Sequence, residues 1–252
     1  MKEFIVTEAG AKKYRQKSVI AFVIFFALIG ISWAGWKYLR NEPKTSGVQT
    51  SLRKVLDLNE EVYKGLYSTS HLVKEYPRTK AAPRARVNGD VGLKEDTFDP
   101  AAWKLKIIKA NGDSLCLTLD EIKQFKKTEV VFNFKCIEGW SQITWWGGVR
   151  FSEVMKKYGL DKETEMKYVG MKTPDEKYYV GIDMPSILQP QTILCYELNG
   201  RPLPMNQGFP LRLIIPVKYG VKHLKRIGTI SFANERPKDY WAEKGYDYYT
   251  GL

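Results

Sequence analysis

Residues 134–151, FKCIEGWSQITWWGGVRF, contain the feature around which the rest of the chain is organised. A short apolar strand is predicted to end at Cys136, and a loop rich in tryptophan and glycine follows it. Glycines allow close backbone approach and clustered indole rings exclude water, which favours a functional thiol. Free cysteine is also among the most buried residue types, so the local composition leaves a structural role for Cys136 open.

The segments on both sides of this stretch predict a domain with more strands than helices. TEVVFNFKC, residues 128–136, alternates apolar and polar side chains as a half-buried strand does. TLDE at 118–121 is typical of a capping box that begins a short helix, and Asn199-Gly200 is typical of a type I′ hairpin turn. Further β-rich segments are WKLKIIK, MKYVGMK, KYYVGIDM, TILCYEL, PLRLIIPV and RIGTISFA. The predicted fold class is therefore α+β with strands in the majority.

The composition limits the class of protein. The 252 residues suffice for one domain of about 150–200 residues plus an appendage. The net charge of +12 suits an anionic partner such as phosphate or an acidic lipid surface. Because the charge is spread along the whole chain, nucleic acid is not an expected partner. Three cysteines without CxxC spacing and two histidines exclude a zinc ribbon, a covalently attached c-type haem and a disulfide-dense scaffold.

Residues 18–36, SVIAFVIFFALIGISWAGW, carry no charge over 19 positions. At about 1.5 Å rise per residue, such a helix spans the ~30 Å hydrocarbon core of a bilayer. We therefore predict a basic N-terminal segment at 1–17 and a single transmembrane anchor at 18–39. Because Lys and Arg crowd the front edge of the span, the positive-inside bias favours an extracytoplasmic, periplasmic main domain. A cleaved signal peptide is the alternative, and it is disfavoured by the long apolar run and the bulky Trp33.

Residues 40–83 are predicted to form a linker and an amphipathic helix. A polar run at 41–47 is followed by a stretch, 51–67, that places leucine and valine mostly three and four residues apart. Such a helix either packs on the domain or lies near the membrane surface, and packing is the favoured interpretation. The basic segment at 76–92, rich in Pro and Gly, predicts an irregular entry into the main domain, which is assigned to 84–252.

A second informative stretch, QGFPLRLIIPVKYGVKHLKRIGTI, covers residues 207–230. A strand carrying Arg212 is predicted to end at Pro216, and cations cluster after it around Tyr219-Gly220. Exposed basic residues are usually a solvated surface. Cations at strand ends and at a glycine turn, where backbone N–H groups can also point outward, suit a bound phosphate, so both interpretations stay open.

Taken together, these stretches resemble the molybdopterin domain of the sulfite oxidase family. The resemblance covers residues from about 84 to 252. The motifs that carry it are RVNG at 86–89, CIEGW at 136–140, GFPLR at 208–212, PVKYGVK at 216–222 and ERPKDYW at 235–241. Within the family, the chain is more similar to the bacterial protein-methionine-sulfoxide reductase catalytic subunit than to the sulfite oxidases proper.

The resemblance implies a β-rich α+β fold with a mixed sheet, of the sulfite oxidase type, preceded by one N-terminal transmembrane helix. It implies a molybdenum-molybdopterin cofactor whose metal Cys136 ligates as a thiolate, a soft ligand that suits molybdenum. The reaction would be a two-electron oxygen-atom transfer, in which the cofactor performs the chemistry and the protein supplies position and electrostatics.

The resemblance also assigns roles to residues of this chain. Arg86 and Asn88 would touch the pterin, and Gly147 and Gly148 would let the backbone approach the cofactor. The cations that would hold the pterin phosphate carry over onto Arg212, Lys218, Lys222, His223 and Lys225.

Two departures from the family pattern bear on the substrate. Sulfite oxidases follow the cysteine with an Asn-Arg-Arg type stretch that meets the anionic substrate, whereas Cys136 is followed by Ile-Glu-Gly and Trp140, so sulfite is disfavoured. In the reductase branch a pocket arginine precedes a His-Pro pair, and Asp183 with Gln189-Pro190 stands in that region here. Cys136, Trp140 and Asp183 are the candidate catalytic residues, and a small-molecule or protein-bound S- or N-oxide is the expected substrate.

The expected partners follow from the same resemblance. The chain has no haem or iron–sulfur motif, so it implies a membrane redox partner, either a haem protein or a quinone-linked subunit, in addition to the lipid bilayer. Exported relatives usually carry a twin-arginine signal, and KKYR at 12–15 is not one, which keeps a domain on the cytoplasmic face open.

Two other functions are alternatives. A binding or scaffold protein could keep the fold without the metal and use its basic cluster to contact lipid headgroups or an acidic partner. A cysteine hydrolase is disfavoured, because His71 and His223 are the only candidate bases and neither lies in a recognisable nucleophile context.

Overall fold

A computed structural model describes residues 8–66, 72–87, 89–93 and 98–251 of the chain. Two of the residues discussed above, His71 and Asn88, lie outside this described part. The chain divides into two compact units, Met1–Val55 and Leu56–Leu252.

The first unit is dominated by one long helix. This helix, α1, covers Glu8–Asn41 and contains the predicted span. Its apolar side chains are exposed: Phe22 is 63% and Phe26 is 64% accessible. By length and composition, α1 is suited to cross a membrane. It is followed by a two-stranded hairpin of β1 and β2 and by the start of α2; these elements cover Lys44–Thr45, Val48–Gln49 and Thr50–Leu66.

Helix α2 confirms the helix predicted at 51–67, but it packs through its polar side. In the second unit, Arg236 forms ion pairs of 2.6 Å with both Asp57 and Glu60. Glu60 is buried, whereas the apolar side chains of α2, among them Leu58 and Val62, are exposed. Helical periodicity marks an apolar stripe but does not say what covers it.

The second unit contains two five-stranded sheets. In the first, the strand order is β10, β9, β6, β5, with β11 also paired to β9, and every pairing is antiparallel. In the second, the order is β4, β3, β12, β7, β8, and only β3 and β12 are parallel. The strands are β3 Leu105–Ile108, β4 Ser114–Leu117, β5 Thr128–Lys135, β6 Ser141–Arg150, β7 Tyr168–Lys172, β8 Tyr179–Asp183, β9 Ile193–Leu198, β10 Arg201–Pro202, β11 Arg212–Ile214 and β12 Thr229–Ala233.

Short helices connect the strands. The α-helices are α3 Leu119–Lys123, α4 Phe151–Lys157, α5 Asp161–Thr164 and α6 Met184–Ile187. Single 3₁₀ turns cover Arg78–Lys80, Met205–Gln207, Gly220–Lys222 and Ala242–Lys244. The β-rich α+β prediction with a mixed sheet is therefore confirmed.

Two local signals in the sequence have the predicted geometry. Thr118 caps α3: its Oγ1 accepts the Glu121 N–H at 3.2 Å, and its own N–H donates to the Glu121 carboxylate at 2.7 Å. Asn199 and Gly200 have φ values of 52° and 72° between β9 and β10. Positive φ at both central residues is the property of a type I′ turn, so this prediction is confirmed as well.

The first sheet covers the second largest of the three apolar clusters found in the described part of the chain. Phe132 and Phe134 of β5, Trp146 of β6 and Cys195 of β9 are buried in it. These side chains hold the end of β5 in place and thereby set the position of the residue that follows the strand.

Gly148 lies where β6 passes closest to β9. The two strands shift register between Gly147 and Gly148. A Cβ atom on Gly148 would overlap the Leu194 carbonyl oxygen and lie 2.7 Å from the Cys195 Cα. A Cβ on Gly147 would meet the Glu197 side chain instead, at 2.9 Å from Oε2. The missing side chains of these glycines therefore let β9 pack closely against β6. The resemblance implies another role for them, a close approach of the backbone to the cofactor, which stays a prediction.

We expect Gly148→Ala to lower the free energy of unfolding by about 2–3 kcal/mol, because backbone atoms of β9 would have to shift. Gly147→Ala is the matched control, with an expected loss below about 1 kcal/mol, because a flexible side chain can move away. Chemical denaturation of the two variants in detergent makes the comparison. Equal losses would contradict the close approach of β6 and β9 at Gly148.

Candidate active site

Cys136 is the first residue after β5, at a tight connection to β6. Its N–H donates to the Trp140 carbonyl oxygen at 2.9 Å, and its carbonyl oxygen accepts the Gly139 N–H at 3.1 Å. Gly139 has a φ of 88°, a conformation that glycine adopts without steric cost. The connection holds the thiol in a buried position, with 4% of the residue exposed.

The side chain of Cys136 lines a cleft of about 680 Å³ that is open to solvent. The residues around it come from three parts of the domain: the segment before β3, the connection after β5 and the C-terminal third. They are Gly89, Val91, Cys136, Ile137, Glu138, Tyr178, Gly220, Val221, His223, Lys225, Trp241 and Tyr246. The cleft therefore joins the thiol to part of the second basic stretch.

The protein environment alone does not activate the Cys136 thiol. Burial raises the pKa of Cys136, and the nearby Glu138 carboxylate raises it further, against the lowering effect of backbone N–H groups. A cysteine nucleophile needs the opposite shift. Binding to a metal ion deprotonates a thiol whatever its intrinsic pKa, so this environment suits a metal ligand better than a nucleophile.

Arg212 is a buried cation whose hydrogen-bond partners are neutral. Its Nη1 donates to the carbonyl oxygen and to Oε1 of Gln207, at 3.1 and 2.7 Å. Its guanidinium lies 4.5 Å from the centre of the Trp146 ring. Within the described part of the chain, Nε and Nη2 of Arg212 have no hydrogen-bond partner. Burial lowers the pKa of Arg212 to about 10, which shows that the site disfavours the bare charge.

Lys225 brings a second buried cation to the cleft wall. Its Nζ donates to the Gly89 carbonyl oxygen at 2.8 Å. Burial, and after it the charge of Arg212, lower the pKa of Lys225 to about 7. Two cations that destabilise each other in a buried site would both be stabilised by a bound anion.

Comparison with known proteins identifies the chain. Residues 92–241 match the family described as oxidoreductase molybdopterin binding domain. A protein of Azospira oryzae, named as subunit YedZ1 of a protein-methionine-sulfoxide reductase, is 34% identical over 81% of this chain and 77% of its own length. The chain belongs to the molybdopterin-binding oxidoreductase family.

Other members of the family are more distant. The protein-methionine-sulfoxide reductase catalytic subunit MsrP of Xanthomonas campestris is 32% identical over 58% of this chain, which spans about half, 49%, of that relative. Mouse mitochondrial sulfite oxidase is 27% identical over 59% of this chain and 32% of its own length. Among solved structures, the sulfane dehydrogenase SoxCD of Paracoccus pantotrophus has the same fold, with a TM-score of 0.50 at 17% identity over 55% of this chain and 40% of its own.

The predicted family, oxidoreductase class and molybdopterin cofactor are confirmed by these relatives, and the residues of the cleft fit that cofactor. The two unpartnered nitrogens of Arg212 are buried donors of the kind that a phosphate group satisfies. Arg212 also lines a second, narrow cavity together with Arg86, Trp140 and Gln207. Arg212 and Lys225 are cations that suit the anionic part of such a cofactor. The buried Cys136 is a thiol that suits its metal.

In this molybdopterin-binding oxidoreductase, two of the predicted phosphate ligands are engaged elsewhere. Lys218 forms a buried ion pair with Asp183 at 2.8 Å, and its Nζ lies 3.0 Å from the centre of the Tyr249 ring. Lys222 pairs with Asp239 and donates to the Gly181 carbonyl oxygen at 2.9 Å. Neither lysine is among the residues that line the cleft.

Asp183 has structural partners rather than a position in the cleft. Besides the ion pair to Lys218, its carboxylate accepts the N–H and the hydroxyl of Ser186 and thereby caps α6. It is 6% exposed, and the Lys218 charge is the main factor that keeps its pKa low against the effect of burial. Asp183 became a candidate because it stands in the region where the reductase branch has a pocket arginine, and the sequence does not reveal Lys218 as its partner.

His223 lines the cleft as a neutral ring. Its Nδ1 accepts the Ile215 N–H at 3.4 Å, so Nε2 carries the proton and donates to the Lys218 carbonyl oxygen at 3.1 Å. Burial lowers the pKa of His223 to about 3. Both ring nitrogens are thus engaged by backbone, and His223 supplies shape rather than positive charge.

Arg86 and Trp140 stand together beside the second cavity. The Arg86 guanidinium lies 4.7 Å from the centre of the Trp140 ring, which stacks on Phe134 at 5.9 Å. The indole N–H of Trp140 donates to the Glu138 carboxylate at 2.8 Å. Arg86 and Trp140 thus line the same cavity as Arg212, and the contact of Arg86 with the pterin stays a prediction.

Three aromatic residues that line the cleft were not among the predicted site residues. Tyr178 donates its hydroxyl to the Val221 carbonyl oxygen at 2.6 Å, and Trp241 and Tyr246 contact each other with ring centres 5.1 Å apart. The ERPKDYW motif at 235–241 was the one local signal for Trp241. Nothing around Tyr178 or Tyr246 distinguishes them from other aromatic residues of the chain.

Burial also bears on the scaffold alternative. Arg212, Lys218, Lys222 and Lys225 are all at most 7% exposed. A lipid headgroup or an acidic protein surface cannot reach side chains at that depth, so the basic cluster does not serve the contact that this alternative requires.

Proposed function

We propose that the chain is a membrane-anchored oxidoreductase that reduces a neutral S-oxide, with Cys136 as the protein ligand to molybdenum. The observation that carries the proposal is the pairing of the buried Cys136 thiol with the buried Lys225 at one cleft, together with the buried Arg212, which lines a second cavity and whose charge acts on Lys225. A protein that had lost its cofactor would keep the cost of burying Arg212 without the anion that offsets it.

The cleft mouth supports a neutral substrate. Glu138, two positions after Cys136, is exposed and lines the cleft, as do the aromatic residues Tyr178, Trp241 and Tyr246. A carboxylate at the entrance repels sulfite, whereas aromatic rings contact the apolar substituents of a sulfoxide. The name of the Azospira oryzae relative supports the same substrate class.

The reaction consumes two electrons and two protons: the S–O bond breaks, the sulfide leaves, and the oxygen departs as water. When bound, the molybdenum cofactor supplies the two-electron oxygen-atom transfer. Lys225, whose pKa lies at about 7, holds a proton at Nζ on the cleft wall. Trp140 and Arg86 would contact the pterin, and Arg212 would hold its phosphate group.

The electrons must come from outside the chain. Its sequence offers no haem or iron–sulfur ligand set, so the donor is a membrane redox partner, a haem protein or a quinone-linked subunit. In this proposal residues 18–39 anchor the chain in the bilayer, 40–83 connect the anchor to the domain, and 84–252 form the oxidoreductase domain. The domain would face the periplasm.

The substrate class is tested with the purified, molybdenum-loaded chain and a reduced viologen dye as electron donor. Methionine sulfoxide is expected to be turned over, and trimethylamine N-oxide tests whether N-oxides share the site. For sulfite oxidation, we expect a kcat/KM at least roughly 100-fold below that for methionine sulfoxide, because the Glu138 carboxylate repels the sulfite anion.

Glu138→Gln is the matched variant for this test. It keeps the side-chain shape and removes the charge, so it should raise the kcat/KM for sulfite while changing that for methionine sulfoxide by less than about threefold. A wild-type preference for sulfite, or no effect of Glu138→Gln on it, would contradict the assignment of a neutral substrate.

A further inference from the structure

The apolar side of α2 is exposed along its whole length. Leu52, Val55, Leu58, Val62 and Leu66 are 50%, 54%, 63%, 54% and 77% accessible. At about 100° per residue, these five positions and Tyr63 fall within an arc of about 140°. A soluble protein rarely leaves so continuous an apolar stripe uncovered, which indicates that something outside the chain covers it.

The opposite side of α2 is already engaged. Asp57 and Glu60 project from that side, and Arg236 binds both carboxylates at 2.6 Å. Arg236 also stands 5.1 Å from the centre of the Tyr248 ring. The helix therefore cannot turn its apolar stripe inward without breaking two ion pairs, one of them to a buried carboxylate.

The start of α2 is tied to the end of α1. Only residues 42–49 separate the two helices. Glu42 accepts the N–H and the hydroxyl of Ser51 at 2.9 and 2.8 Å, and the Thr50 N–H donates to the Pro43 carbonyl oxygen at 3.0 Å. If α1 spans a bilayer, these contacts hold the first turn of α2 at the level where the span ends.

Side chains around this junction suit a bilayer surface. Trp33 and Trp36 near the end of the apolar run are residues that favour the membrane interface. Arg40, Lys44 and Lys54 carry positive charge into the same region, as a surface of anionic headgroups requires. A helix with a polar side and an apolar stripe of this kind is the form that lies in an interface.

From these observations we infer that α2 lies in the membrane interface, with the stripe from Leu52 to Leu66 inserted among the lipids. This inference rests on the anchoring of α1 in the proposed function and adds to it a second contact with the bilayer.

Site-directed spin labelling of the full chain in liposomes containing anionic lipid tests the inference. Single cysteines are introduced at Val62 on the stripe, at Glu61 as the matched exposed position beside it, and at Leu28 within α1, each in a Cys116→Ser background. Collision with oxygen and with a water-soluble nickel chelate then reports the depth of each label. We expect the Val62 label ~5–10 Å inside the headgroup boundary and the Glu61 label in water.

The three labels separate the outcomes. A Val62 label in water beside a Leu28 label in lipid would overturn the interfacial helix and leave the anchor intact. A Val62 label shielded from both reagents would also overturn it, because a protein surface or a second copy of the chain would then cover the stripe. A Leu28 label in water would instead overturn the anchor on which both proposals depend.

Discussion

Cys136→Ser is expected to lower oxide reduction by more than about 100-fold while the domain stays folded. Loss of groups that only orient a metal ligand already costs 10–100-fold, and this variant removes the ligand itself. Serine has nearly the same volume, but its hydroxyl is a hard, weakly acidic group that does not replace a soft thiolate on molybdenum. The buried position and the backbone hydrogen bonds to Trp140 and Gly139 do not depend on the sulfur.

Three measurements test this prediction. Elemental analysis should find about one molybdenum per wild-type chain, X-ray absorption should show one sulfur ligand fewer in the variant, and thermal unfolding should differ little. Cys116→Ser is the matched control, because Cys116 is exposed on β4. Full activity of Cys136→Ser, or an unchanged number of sulfur ligands, would remove Cys136 from the metal site.

Arg212→Met is expected to have opposite effects on cofactor binding and on the stability of the cofactor-free protein. Truncating one partner of a buried, hydrogen-bonded charge pair costs about 2–5 kcal/mol, so cofactor affinity should fall by roughly 30- to 5000-fold. In the cofactor-free protein the same change removes a buried charge that has only neutral partners among the described residues. Its stability should stay unchanged or rise, because methionine fills a similar volume without the cost of desolvation.

The matched control for this prediction is Lys218→Met. It also replaces a buried cation, but it leaves the Asp183 carboxylate buried without its ion-pair partner, which typically costs 3–5 kcal/mol. Pterin and molybdenum content of the purified variants, and unfolding of protein from a host that cannot make the cofactor, provide the readouts. If Arg212→Met destabilised the cofactor-free protein as much as Lys218→Met and retained the cofactor, Arg212 would be a structural residue.

Local signals in the sequence were sufficient for individual elements. The capping box before α3, the Asn199-Gly200 turn and the strand that ends before Cys136 each depend on atoms only a few residues apart. The same holds for the apolar run inside α1, whose length alone predicts a span. Such features follow from backbone geometry and side-chain type, so the rest of the fold does not need to be known.

The cations of the second basic stretch could not be sorted in the same way. Lys218, Lys222 and Lys225 stand within eight residues and look equivalent in the sequence. Their different roles depend on which carboxylate the fold brings near: Asp183 from the end of β8 reaches Lys218, and Asp239 reaches Lys222. Lys225 lines the cleft instead, beside the thiol at the end of β5.

By itself, the sequence determined the family, the molybdopterin cofactor, the apolar helix and the thiol at a strand end, because each is recorded in residues that are close together or in motifs that keep their spacing. Only the tertiary structure decided which cations face the cleft and that Gly148 makes room for β9. It also decided that α2 turns its apolar stripe outward. These outcomes depend on burial and on partners from distant segments, and the energy of a buried charge or an exposed apolar side chain is set by its surroundings rather than by its neighbours along the chain.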